Sequence, residues 1–320
     1  MNDTVRQQDL TAETDLVVKE VTGDADTKLG RLAGDFLDGL EGSPETARVY
    51  ASAIAHFLSW RSRNQAHLTE QTMTSYKKHL ADSGFRPCSS STYFTAVRLF
   101  LKYLVTKGVL PDNPAEGVKS PKVPKTHLRD ALTKKEARTL LKSIPRGSLK
   151  GSRDYAMINV MIRTAVREIE VSRAVVGDIE KKDGGHVLYV HGKGRDSKDE
   201  FVVLTEESLG PINKYLSQRG TLSPDDPLFG KVGTVREGHL CTRAVRKIVT
   251  YYLRGAGLKS KRVTPHSLRH TGITLAITAG KGRNLLQVQQ MARHRNMSTT
   301  LRYFHEYDRM KNAAEHCIKI

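Results

Sequence analysis

Two clusters in the second half of the chain combine residues able to act on a phosphate diester. Pro265-His266-Ser267-Leu268-Arg269-His270 puts His266 and Arg269 three positions apart near an expected helix start, so an imidazole and a guanidinium face one point. His266 and His270, four apart, have the spacing of a zinc pair, but the glutamate of HExxH is absent and no third ligand is indicated. Further on, His294 precedes Tyr303 by nine positions, and Asn296-Met297-Ser298-Thr299 between them supplies a helix cap. A tyrosine on the second turn of a helix, beside a histidine and a phosphate-binding arginine, can act as a nucleophile, because an aryl oxygen forms a covalent phosphoester that conserves bond energy. Alone, the same tyrosine also fits a residue packing an amphipathic helix.

Upstream, Arg163-Thr164-Ala165-Val166-Arg167-Glu168-Ile169-Glu170 places Arg167 where an apolar helix ends and a new turn begins. A buried Glu170 at i+3 would orient the guanidinium so that its fork meets two nonbridging oxygens, although an ordinary surface ion pair has the same spacing. Lys193 lies between Gly192 and Gly194 at the tip of an expected hairpin, where a loop could carry an ammonium into a DNA groove or simply turn.

The elements that must position these residues fall into two groups, as expected for 320 residues at roughly 150 per domain. Ser43-Pro44-Glu45 marks an N-cap and first helical turn, followed by Tyr50, Ile54, Phe57 and Leu58 at helical spacing, which predicts a helix over about 44–62. Helices over about 29–40 and 70–83, and a fourth presenting Tyr93, Val97, Phe100, Leu101 and Leu104, complete a small α domain. Pro111, Pro114, Pro121 and Pro124 with Lys119, Lys122, Lys125 and Arg129 then read as an extended basic linker that does not invite burial. Thr133 and Glu136 form a capping-box pattern, followed by a helix with Ile158, Met161, Ile162 and Ala165 on one face. The period then changes: 186–191 and 201–204 read as paired strands. Helices follow over about 209–218, 242–253, 267–278, 285–292 and 299–314. The fold class is mainly α with a small β-sheet. The divisions are 1–26, a flexible acidic arm; 27–109, a helical domain; 110–130, the linker; and 131–320, a second domain with a C-terminal tail.

Charge narrows the partners. The chain has 52 Lys and Arg against 34 Asp and Glu, a net +18, with a pI near 9.8. Residues 1–26 hold two basic and seven acidic residues, so the remaining 294 carry +23. A polyanion is the expected partner. No apolar run approaches the ~18 residues of a membrane span, and the amino terminus lacks the basic flank and apolar core of a signal peptide, so a soluble cytoplasmic, nucleoid-associated protein is expected. Cys88, Cys241 and Cys317 are far apart, do not form CxxC pairs, and read as reduced thiols.

Taken together and in this order, Arg167, Lys193, His266-x-x-Arg269, His294 and Tyr303 resemble the tyrosine recombinases, the phage integrase and Xer-like enzymes, over roughly residues 131–305. The resemblance implies an N-terminal four-helix core-binding (SAM-like) domain and a mixed α/β catalytic domain that close on DNA as a C-shaped clamp. It also implies a site-specific recombinase in which Tyr303 attacks the scissile phosphate, leaving a 3′-phosphotyrosyl link and a free 5′-hydroxyl. Arg167 and Arg269 would neutralise the transition state, His266 and His294 would bind the phosphate and help deprotonate Tyr303, Lys193 would protonate the leaving 5′-oxygen, and Glu170 would orient Arg167. No cofactor or metal is implied. The implied partners are double-stranded DNA with specific recombination sites and, on two paired sites, a homotetramer, whose tail beyond Tyr303 docks in cis or in trans. Two positions depart from the family, which usually has glycine where this chain has Ala165 and Arg293. The loop after Lys193 is slightly long, which makes Lys198 the second choice for the acid. Integration, excision, inversion and dimer resolution all fit. A type IB topoisomerase would use nearly the same site but relax supercoiled plasmid irrespective of sequence, and a noncatalytic DNA-binding regulator would not need the full residue set.

Overall fold

The computed structural model describes residues 28–123, 130–191, 199–233, 238–279 and 285–303. The chain divides into two compact units, Met1–Thr126 and His127–Ile320.

Helices α1 (Lys28–Asp38), α2 (Pro44–Arg63), α3 (Glu70–Asp82) and α4 (Pro87–Thr106) make up the first unit. Ser43 caps α2 by accepting from the Thr46 N–H, with Pro44 at the first helical position, where its missing N–H costs nothing. The helices close on Phe36, Ile54, Phe57, Tyr76, Phe94, Phe100 and Leu104, and the rings of Phe57 and Tyr76 meet edge-on at 4.9 Å. Part of the segment expected to run as an exposed linker is buried here. Ala115 and Val118 belong to this core. Arg98 on α4 draws them in by donating to the carbonyls of Ala115 (3.1 Å) and Val118 (2.5 Å) and to Ser120 Oγ (2.9 Å). The prolines exclude a helix without excluding packing, because the main-chain carbonyls find a guanidinium partner.

The second unit is built around α6 (Leu149–Thr164), which is buried along nearly its whole length. Before it lies α5 (Lys134–Lys142), closed by the expected capping box between Thr133 and Glu136. After it come α7 (Glu168–Arg173), strands β1 (Ile179–Lys182), β2 (Gly185–Val190) and β3 (Glu200–Leu204), then α8 (Glu206–Arg219), α9 (Thr242–Gly255), α10 (Ser267–Thr278) and α11 (Leu285–Ala292). Residues 297–303 are helical again. The strands form one antiparallel sheet in the order β1-β2-β3, with Leu188 paired to both Ile179 and Val202. Val187, Leu188, Val190, Val202 and Leu204 turn into the core. Strand β1 is an addition to the expected pair. Its Ile-Glu-Lys-Lys composition carries one apolar residue, as suits a largely exposed edge strand. Asp183 and Gly184, both at positive φ, make the tight turn into β2. No described helix is long and apolar enough to cross a membrane, and Cys88 and Cys241 are exposed free thiols.

Two features place the later site. Ala165, expected on the face of α6, instead ends it in the left-handed conformation (φ 52°), turning the chain toward α7. Helix α10 crosses the end of α6 at Gly272, where a β-carbon would fall 2.3 Å from the Ile162 carbonyl oxygen. Gly272→Ala must push the two helices apart and is expected to cost about 3 kcal/mol, the upper part of the overpacking range, read as a lower denaturation midpoint. A variant of unchanged stability would show that the crossing is slack.

Candidate active site

Arg167 stands at the start of α7, and Glu170 one turn later reaches back to it twice. Glu170 Oε2 accepts from the Arg167 main-chain N–H at 2.7 Å, and Oε1 from Arg167 Nη1 at 2.6 Å. The Glu170 side chain is wholly buried, whereas Arg167 keeps 27% of its side chain exposed. One carboxylate thus fixes both the backbone and the fork of Arg167. Burial alone would raise the Glu170 pKa; the Arg293 guanidinium and the N–H and charge of Arg167 outweigh it and hold the group below its ordinary value.

Arg269 lies on the first turn of α10, 4% exposed. Its guanidinium donates to the carbonyls of Ala165 and Ala292, at the C-terminal ends of α6 and α11. Such carbonyls have no partner within their own helices and sit at the negative end of the helix dipole, so a cation is the natural cap for both. Burial, then the neighbouring charges of Arg167 and Arg293, lower the Arg269 pKa to about 9. The group is still cationic at neutral pH. Its direct partners are carbonyl dipoles, with the Glu170 carboxylate acting on it only through space, a match that an anion would improve.

His294 is half-buried. Its Nδ1 lies 3.0 Å from Thr300 Oγ1, and its carbonyl accepts from Gln289 Nε2 at 2.9 Å. Burial and the charges of Arg269, Arg167 and Arg293 lower its pKa to about 4, so the ring is neutral across the physiological range. Tyr303 stacks on His294 with ring centroids 6.0 Å apart and lies 5.2 Å from the ring of His270. It is 8% exposed and packs with Ala165, Ile273, Val288 and Ala292. His266, exposed just before α10, meets His270 edge-on at 5.0 Å.

The structure therefore gathers Arg167, Glu170, Arg269, His294 and Tyr303, with His266 at the head of α10, from four separate stretches of chain. Lys193 and Lys198 lie outside the described residues, as does the tail beyond Tyr303. Among the described residues, no cluster of three or more His, Cys, Asp or Glu side chains is placed to hold a metal ion, so the His266–His270 spacing gains no third ligand. Sequence reasoning passed over Arg293 as a member of the site. It sits at φ 52° after α11, and its buried guanidinium pairs with Glu170 at 2.6 Å. The available signal was its adjacency to His294 at a position where the resembled family usually has glycine.

Residues 130–310 match the family described as the phage integrase family. The chain is 30% identical over 289 residues to the tyrosine recombinase XerC of Myxococcus xanthus, an alignment covering 87% of this chain and 93% of that one. Its fold matches the XerH site-specific recombinase bound to a palindromic difH substrate in a post-cleavage complex, with a TM-score of 0.67, 17% identity, and coverage of 96% and 95% of the two chains. A lambda integrase tetramer bound to a Holliday junction matches with a TM-score of 0.63 and 15% identity over 86% of this chain and 75% of that one.

Proposed function

Because this chain belongs to the phage integrase family, we propose that it is a site-specific DNA recombinase whose nucleophile is Tyr303 and whose phosphate clamp is Arg167 and Arg269. The observation that carries this reading is the stacking of Tyr303 on a neutral His294 beside the guanidiniums of Arg167 and Arg269.

The phenolic oxygen of Tyr303 attacks the scissile phosphorus and gives up its proton, with His266 and His294 helping to take it. The bond to the 5′-oxygen breaks, leaving the 3′-phosphate on the tyrosine. The trigonal-bipyramidal transition state gains negative charge against Arg167 and Arg269, and each preorganised donor of this kind contributes about 3 kcal/mol, roughly 10²-fold in rate. Lys193 supplies the proton to the departing oxygen. Attack of a partner duplex's 5′-hydroxyl on the phosphotyrosine reverses the chemistry and joins new ends. Exchange between two duplexes needs four protomers on paired sites, so a homotetramer is the working assembly. The family membership favours this reading over a relaxing topoisomerase or a noncatalytic regulator.

Sequencing the DNA that purified protein retains covalently gives the target site. With about eight phosphates contacted per protomer, log affinity for that duplex is expected to fall with log salt at a slope near −7, because each neutralised phosphate contributes about −0.9. Cleavage of a nicked version of that duplex is expected to proceed in EDTA; a requirement for Mg²⁺ would overturn the mechanism.

A further inference from the structure

Arg293 carries a full side chain at a backbone conformation (φ 52°) that only glycine adopts without strain. Its guanidinium is 3% exposed and spread over several acceptors: Glu170 Oε2 at 2.6 Å, the Met291 carbonyl at 2.8 Å and the Ala165 carbonyl at 3.5 Å. Its Nε lies 3.8 Å from Glu200 Oε2, at the first residue of β3. Being buried, it cannot meet the DNA itself.

The arithmetic of charge around Glu170 gives it a different part. One buried carboxylate lies between two guanidiniums, taking Arg167 Nη1 on Oε1 and Arg293 Nη2 on Oε2. That carboxylate can neutralise one positive charge. Without the Arg293 guanidinium, Glu170 in this site would be left to Arg167 alone, and less of the Arg167 charge would remain for a ligand. We propose that Arg293 is a positioning residue for strand cleavage, which shares the counter-charge of Glu170 and so leaves part of the charge of the partly exposed Arg167 guanidinium to neutralise the scissile phosphate. The inference rests on the assignment of Arg167 and Tyr303 above. It also explains the strain: the side chain is kept at 293 because the clamp uses it.

The test is single-turnover cleavage of a nicked duplex carrying the sequence recovered from covalently retained DNA, with Arg293→Gly, Arg293→Lys and Tyr303→Phe beside the wild type. Arg293→Gly relieves the backbone and is expected to keep the wild-type melting temperature and, within about threefold, its DNA affinity. It should cleave about 10²-fold more slowly at pH 7, the loss typical of one preorganised charge. Arg293→Lys, which keeps the charge without the fork, should recover part of that rate. At subsaturating DNA the wild type should hold its rate down to about pH 5. In Arg293→Gly the acid limb should move to higher pH, because burial, Arg269 and Arg167 still lower the His294 pKa but the charge of Arg293 no longer does. A merely structural residue would not move that limb. Wild-type cleavage and an unshifted pH profile in Arg293→Gly would overturn the proposal, as would Arg293→Lys cleaving no faster than Arg293→Gly. If the wild type forms no adduct, or Tyr303→Phe still forms one, the site assignment itself fails, which is a separate result.

Discussion

Tyr303→Phe is expected to bind the recombination site as the unchanged protein does and to form no covalent protein–DNA adduct. The phenylalanine ring can keep the packing on His294 and against Ala165, Ile273 and Val288, so the fold of the site is retained. Only the attacking oxygen is lost. Removing a nucleophile from a preorganised site costs roughly 10⁴-fold or more, because the remaining groups stabilise a transition state that nothing now enters. Trapping on a nicked duplex, where the cleaved strand diffuses away, reads this directly as a slower-migrating band. Tyr307, four residues later in the sequence, is the rival oxygen. An adduct surviving in Tyr303→Phe and lost in Tyr307→Phe would place the nucleophile four residues further along the chain.

The second large effect concerns the acid. If Lys193 protonates the departing 5′-oxygen, a substrate with sulfur at that bridging position leaves as a thiolate, whose much lower pKa makes the proton unnecessary. Lys193→Ala is therefore expected to be slowed about 10²-fold or more on the ordinary phosphodiester and to approach the wild-type rate on the bridging phosphorothioate. Arg167→Ala should remain slow on both substrates, since the phosphoryl oxygens still gain charge whichever atom leaves. Lys198→Ala should cleave both normally. The sulfur-rescued pattern in Lys198→Ala, with normal behaviour of Lys193→Ala, would move the acid five residues along the sequence. Rescue of neither variant would hand the role to a histidine or to water.

What could be read in the sequence was whatever announces itself through local side-chain chemistry. Ser43-Pro44 and Thr133 with Glu136 are caps made of neighbouring residues, and α2 and α5 begin where those residues predict. The i, i+3 relation of Arg167 and Glu170 is likewise local and became a 2.6 Å contact. The partners of Arg269 were not legible, because they are the carbonyls of Ala165 and Ala292 and any residue carries a carbonyl. Ala165 shows the limit of periodicity: its apolar side chain continues the pattern of α6 while its backbone ends the helix. Strand β1 has too few apolar residues to show the alternation of a strand, although Asp183-Gly184 was a turn signal that could have exposed it. Arg293 was one cation among 52 until the fold set it against Glu170.

The tethering of Arg269 to carbonyls 104 positions before it and 23 after it also imposes an order in time. A ribosome adds roughly 5–20 residues per second, so Arg167 emerges on the order of 10 s before Tyr303. During that interval the nascent chain already has its first helical unit and the basic segment that follows. It still lacks the α11 carbonyl that steadies Arg269, as well as the tyrosine oxygen proposed to attack. A product of synthesis interrupted before residue 303 would keep a positive charge that attracts a polyanion but, on the assignment proposed above, could not break a strand. On the assignment of Tyr303 as nucleophile, strand cleavage becomes possible only after residue 303 has been added.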